Sequence, residues 1–250
     1  MDIYKILFDL SYGQIKNLFE SHLTWSKAND RVSGNPKWFD EPGTLNVIGV
    51  RCNSEADFNK AKYNDYLVLV FNKPLGKYDV AIIDVTVDPN REKEGIAHLR
   101  QGVWNAYCVG IHGQTTGHNT RDLPGIGHIS RWALRQDNNE VEIVRTDGKG
   151  NVIKSVRGSF GINVHDNGGY KDSSAGCTVI KRDEDYIEKF LPYTYDVHEN
   201  KKVPVNHDDI TYCLINHSNL EKYLNEKIER LESTNEEHVS SPGAEEGMKN

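Results

Sequence analysis

Ser159-Phe160-Gly161-Ile162-Asn163-Val164-His165 and, after a polar loop, Ser173-Ser174-Ala175-Gly176-Cys177-Thr178-Val179-Ile180 form the stretch on which fold and chemistry turn. The first run alternates as a half-buried strand does and ends on a histidine. The second opens a strand at the cysteine, with β-branched residues following it. The loop between them is long enough for the two strands to lie side by side. His165 and Cys177 are therefore expected to face each other across one end of a sheet. That pairing makes chemical sense. A cysteine attacks acyl groups as the thiolate. A histidine within hydrogen-bond reach takes the thiol proton and later returns it to a leaving amine. Gly176 is expected to leave room for a substrate backbone. The amides of Gly176 and Cys177 are expected to donate to a developing oxyanion, and Ser174 to hold the loop through nearby backbone.

Outward from this stretch the chain reads as mostly β with flanking helices. Leu45 to Val50, Tyr66 to Phe71, Val80 to Val87, Val103 to Ile111 and Val141 to Val144 are strand-like runs, several bounded by turn residues such as Asn72-Lys73-Pro74. Val141–Val144 and Val152–Val156 read as a hairpin around Asp147-Gly148-Lys149-Gly150. Residues 27–43 read as a loop. A longer polar, glycine-rich loop joins Ile111 to Trp132 and carries His112 and His118; such loops often bind or cover a ligand. A second runs from Asp166 to Ser174. Ser11 and Gln14 form a capping box ahead of Ile15, Leu18, Phe19 and Leu23 at helical spacing. A helix is expected after Asp183, with Tyr186, Ile187, Phe190 and Leu191 on one side. Another is expected with Ser218 as N-cap and Leu220, Leu224, Ile228 and Leu231 on one face. From Glu232 the composition is that of a disordered tail. The predicted organisation is residues 1–43 as N-terminal helix and loop, 44–231 as the catalytic domain and 232–250 as the tail.

A chain of 250 residues with a net charge of -7 and no basic patch does not read as a nucleic-acid binder. No run has the apolar length needed to cross a bilayer, so no membrane partner is expected. Met1 to Leu10 is short and carries Asp2 and Asp9, which does not suit a signal peptide; synthesis in the cytoplasm is the expectation. Cys52, Cys108, Cys177 and Cys213 are scattered and read as free thiols. All but Cys177 lie in strand-like runs and read as core. Trp25, Trp38, Trp104 and Trp132 read as packing residues. His112, His118, His165 and Cys177 are ligand types that zinc accepts, but none has the spacing of a known motif. No metal or other cofactor is expected.

Ser174-Ala175-Gly176-Cys177-Thr178 resembles the Ser-His-Gly-Cys-Ile/Val-Arg signature of L,D-transpeptidase (YkuD-type) catalytic domains. In that family a histidine on a neighbouring strand comes first, and His165 matches it in order and rough spacing. Gly110-Ile111-His112-Gly113, Ala133-Leu134-Arg135-Gln136 and Phe160 to His165 are similar, more weakly, to divergent phage and bacterial members. The resemblance implies an α+β, mostly β, sandwich-like domain. It implies acyl transfer or hydrolysis on peptidoglycan stem peptides through a thioester on Cys177, with those peptides as partners. With no signal peptide, it also implies a phage-encoded protein or one specially delivered to the cell wall. Two departures stand out. Ala175 replaces the family's second histidine, and Thr178 and Val179 stand where an arginine is usual. A carboxylate-binding arginine must then come from Arg121, Arg131 or Arg135, and His112 is a candidate to line the cleft. Two other readings stay open: a non-enzymatic binding or structural protein, such as a phage particle component, and a metal-dependent hydrolase. No oligomeric state is read from the sequence.

Overall fold

The computed structural model describes residues 3–52, 63–87, 96–114, 117–147, 149, 151–168, 174 and 176–225. Helices α1 (Ile3–Asp9) and α2 (Tyr12–Ala28) come first, then strands β1 (Val32–Ser33), β2 (Leu45–Arg51), β3 (Asp65–Asn72), β4 (Tyr78–Thr86), β5 (Ile96–Leu99) and β6 (Gly102–Ile111). The chain continues through β7 (Thr120–Leu123), β8 (Gly127–Ser130), β9 (Trp132–Gln136), β10 (Val141–Thr146), β11 (Val152–Gly158), β12 (Val164–Asp166) and β13 (Thr178–Ile180). A short helical stretch follows: α3 (Asp183–Asp185), a π-helical turn over Tyr186–Phe190, and α4 (Leu191–Thr194). Strands β14 (Tyr195–Asp196), β15 (Lys201–Lys202) and β16 (Ile210–Asn216) come next, then a helix over 217–225.

The fold is mostly β with a few helices, and eight strands close into a barrel in the order β6-β16-β2-β3-β4-β13-β12-β9 and back to β6. The β16–β2 and β12–β13 pairs are parallel. The other six are antiparallel. Closure depends on the length of β6. Its Gly102–Tyr107 part pairs with β16, and its Tyr107–Ile111 part pairs with β9. One strand thus joins both ends of the sheet, where a two-sheet sandwich would have left free edges. The sandwich is corrected to a closed barrel.

Strand alternation places Val47, Leu69, Ile83, Val109, Leu134 and Val164 in one core cluster inside the barrel. Ile48, Val50, Val68, Val70, Val103 and Ile215 point the other way and pack with Ile3, Leu7, Ile15, Leu18 and Phe19. Every residue of β2 is buried because both its faces are covered. The N-terminal helices therefore share a core with the barrel. The capping box of α2 is formed, with Ser11 and Gln14 each bonded to the other's backbone.

Several sequence expectations meet a different geometry. Helix α2 and β1 take up part of the expected 27–43 loop. Helix α1 and strands β5 and β9 have no counterpart in the sequence reading, which had of β16 only the strand-like run around Cys213. The 111–132 loop contains the β7–β8 hairpin, turned at Leu123 to Gly127; its polar strands carry a single deeply buried anchor, Leu123. The run from Ser159 to Asn163 is not laddered. The N–H groups of Phe160 and Ile162 donate instead to the Gln136 side-chain oxygen, at 3.0 and 3.1 Å. Pro192 has no N–H for the carbonyl four residues back, and the stretch after Asp183 widens into a π turn just before it. Ser218 lies inside the last helix, which begins at 217. Ile228, Leu231 and the 232–250 tail fall outside the described residues. No described helix is long and apolar enough to cross a membrane.

Candidate active site

The parallel pair β12–β13 brings the two ends of the decisive stretch together. Val164 lies opposite Thr178 and His165 opposite Val179. One step earlier, Cys177 meets Asn163. The Asn163 N–H donates to Cys177 Sγ at 3.4 Å, and the Thr178 N–H donates to the Asn163 carbonyl at 2.8 Å. The thiol itself donates to the Gly161 carbonyl at 3.5 Å. Thr178 is anchored from inside the barrel, its hydroxyl 3.2 Å from that of Tyr212. The Tyr212 ring lies over Gly49, where a Cβ would overlap its hydroxyl.

His165 is buried beside Cys177 and interacts with it electrostatically. Its Nδ1–H donates to the Asp166 carbonyl, which leaves Nε2 for the thiol. Burial pushes the Cys177 thiol up, but the neighbouring His165 outweighs it and holds the thiol below its ordinary value. Burial likewise pushes His165 down, and the neighbouring Cys177 with the Asp166 charge raises it overall. Both shifts favour the thiolate–imidazolium form, which is the reactive one.

Beneath His165 lies a buried ionic cluster. The Asp166 carboxylate accepts from Arg131 Nε at 2.9 Å and pairs with Arg121. Arg121 also reaches Asp183 at 2.7 Å, and Arg131 donates to the His118 carbonyl at 3.1 Å. Burial raises the Asp166 carboxyl, but the two arginines and His165 hold it below the usual carboxylate range. Arg121 and Arg131, both candidates for a substrate carboxylate, are thus already engaged by a carboxylate of the protein. Arg135 is not part of this cluster. Its guanidinium is 3.3 Å from Gln114 and 3.9 Å from Asp137. Leu134 pairs with Val164, so Arg135, Asn163 and Cys177 follow one another across three strands, a span of roughly 10 Å. Arg135 also lines a groove of about 400 Å³ with Gly110, Ile111, Gln114, Trp132 and Lys202.

The Gly176–Cys177 backbone is arranged differently from the sequence expectation. Ser174 Oγ accepts the Cys177 N–H at 2.7 Å and the Gly176 N–H at 3.2 Å, and donates to the Cys177 carbonyl at 3.2 Å. Ser174 bonds the backbone around the thiol, and the two amides are occupied by it. Gly176 has φ +154, and a Cβ there would overlap Ile162. Close packing of Ile162 fills the space that the sequence reading left to a substrate.

His112 stacks on His165, with ring centroids 3.8 Å apart and planes 20° from parallel. Its Nδ1 is 3.3 Å from Asn163 Nδ2. His118 is exposed, and only its carbonyl enters the cluster. Stacked imidazoles cannot aim their lone pairs at one ion, and among the described residues no group of three His, Cys, Asp or Glu is arranged to hold a metal. Cys108 and Cys213 are buried, as are Trp38 and Trp104. Sequence reading missed Asn163, Asp166 and Gln136. The available signal was the row of polar residues interrupting an apolar strand next to His165. No family model, curated protein or solved structure matches the chain.

Proposed function

We propose that the protein is a cysteine-nucleophile acyl-transfer enzyme of the L,D-transpeptidase type, acting on peptide carbonyls of peptidoglycan stem peptides. The observation that carries this reading is the placement of Cys177 beside His165, whose Nδ1–H is held by the Asp166 carbonyl. It lowers the thiol, raises the imidazole and fixes which imidazole nitrogen meets the sulfur. In the reaction Cys177 attacks the carbonyl carbon, and His165 returns the proton to the departing amine. A thioester remains on the sulfur, and an amine or water then takes the acyl group. The site residues of this reading are Cys177 and His165, with Ser174 and Gly176 shaping the loop. Arg135 and His112 are the candidates for substrate contact. The substrate class comes from the Ser174-x-Gly176-Cys177 resemblance.

Intact mass spectrometry after incubation with defined muropeptides tests the reading. An acyl adduct mapping to Cys177, absent in Cys177→Ala, is expected. A modified peptidoglycan product formed equally by Cys177→Ala would overturn it. The occupied amides favour one other reading, a binding protein that keeps the barrel without turnover; muropeptide binding with no adduct would select it.

A further inference from the structure

We infer that His112 is a second functional histidine of this site, donating its Nε2–H to the carbonyl oxygen of the acyl group that Cys177 attacks. The inference rests on the cysteine reading above. Hydrogen bonding fixes its tautomer. The Gln136 N–H donates to Asn163 Oδ1 at 3.0 Å. The Asn163 amide nitrogen is thereby turned toward His112 Nδ1, 3.3 Å away. An amide NH2 only donates, so Nδ1 must accept and the ring proton sits on Nε2. Nε2 has no hydrogen-bond partner among the described residues, and the side chain is half-buried. The stack on His165 sets this spare donor beside the thiol–imidazole pair.

The site is otherwise short of donors. The Gly176 and Cys177 amides go to Ser174, and the Asn163 amide goes to the sulfur. A neutral donor also suits the chemistry. It stabilises an oxyanion without taking the proton that His165 must carry. Burial and the neighbouring His165 charge hold His112 down to about 3, so the ring stays neutral at physiological pH.

Two reagents separate this role from a structural one in the full-length protein. With p-nitrophenyl acetate, sulfur bonds to the ester carbon and the carbonyl electrons move onto oxygen. Collapse then expels p-nitrophenolate and leaves an acetyl thioester, the thiol proton having passed to His165. With iodoacetamide, sulfur displaces iodide at a saturated carbon and no oxyanion forms. His112→Phe keeps an aromatic ring for the stack and removes the donor. Its acylation burst is expected to fall about 10²–10³-fold, the usual loss for one oxyanion donor. Its alkylation at Cys177 should stay close to wild type. A parallel fall in both reactions, or no fall in either, would overturn the inference. Failure of the wild-type Cys177 to react with either reagent would instead sink the cysteine reading itself. Nitrogen-15 NMR of the wild-type imidazoles gives a test that needs no variant: His112 should be the Nε2–H tautomer, and an Nδ1–H tautomer would overturn the inference.

Discussion

The approach of His165 and Cys177 was legible in the sequence because the local pattern puts both at strand ends. Asn163, Asp166 and Gln136 were not, because their partners come from other strands. Among the described residues Gln136 holds the N–H groups of Phe160 and Ile162, and no periodicity announces that. The arginine candidates show the same limit. Residue type marks Arg121 and Arg131 as anion binders, and only the fold shows that Asp166 already holds them. At this scale the expectation is direct. On the proposed cysteine reading, His165→Ala removes the base and the ion-pair partner of the thiol. Acyl transfer should fall by roughly 10²–10⁴, the span for a positioned general base. A thermal melt run beside the kinetics should show the variant folded. A variant with near-wild-type turnover would remove His165 from the mechanism.

At the scale of elements, β12 and β13 are short, three residues each. Their register depends on what surrounds them. The buried Asp166–Arg131–Arg121 cluster secures the end of β12, and its cost and benefit can be read by mutation. Asp166→Asn leaves the buried Arg131 guanidinium without its counter-charge and Arg121 with Asp183 alone. Breaking such a pair from one side costs on the order of 3–5 kcal/mol, which urea unfolding at neutral pH should show. The pH dependence follows from the direction of the shift. The folded carboxyl lies below its ordinary value of 3.8. Its stabilisation is therefore present above that value and is lost as pH falls through the folded one. Wild type and Asp166→Asn should converge in stability in acid; a constant gap would mean that the carboxylate charge is not what matters. Gly176→Ala tests the other strand. A Cβ there overlaps Ile162, and the backbone is one that L side chains rarely adopt. Overpacking of this kind costs about 1–3 kcal/mol. A melting temperature equal to wild type would show that Ile162 gives way freely.

At the scale of the whole molecule, strand content and the hydrophobic alternation were visible in the sequence, and barrel closure was not. Closure depends on β6 pairing with β16 along one part and β9 along another, a long-range fact that local patterns do not encode. The N-terminal helices illustrate a related point. A break near residue 43 looks natural in the sequence, yet Phe19 and Ile48 belong to one core. Removing residues 1–29 should expose the outer face of β2, β3 and β16 and give protein without a cooperative melt; a truncated chain that melts like wild type would show that the barrel stands alone.

Of the four thiols, Cys177 is the one whose surroundings draw it below its ordinary value, and the other three supply the contrast. Burial pushes Cys52 up to about 12 and lifts Cys108 and Cys213 above their ordinary range, while His165 draws Cys177 below it. The direct measurement is the rate of iodoacetamide labelling of each cysteine as a function of pH, read by peptide mapping. Cys177 is expected to label first, with a rate that levels off below the ordinary thiol value of 9.0 and loses that low-pH plateau in His165→Ala. If another cysteine labels first, or if the Cys177 rate keeps climbing through 9.0 as an ordinary thiol does, the nucleophile assignment is contradicted.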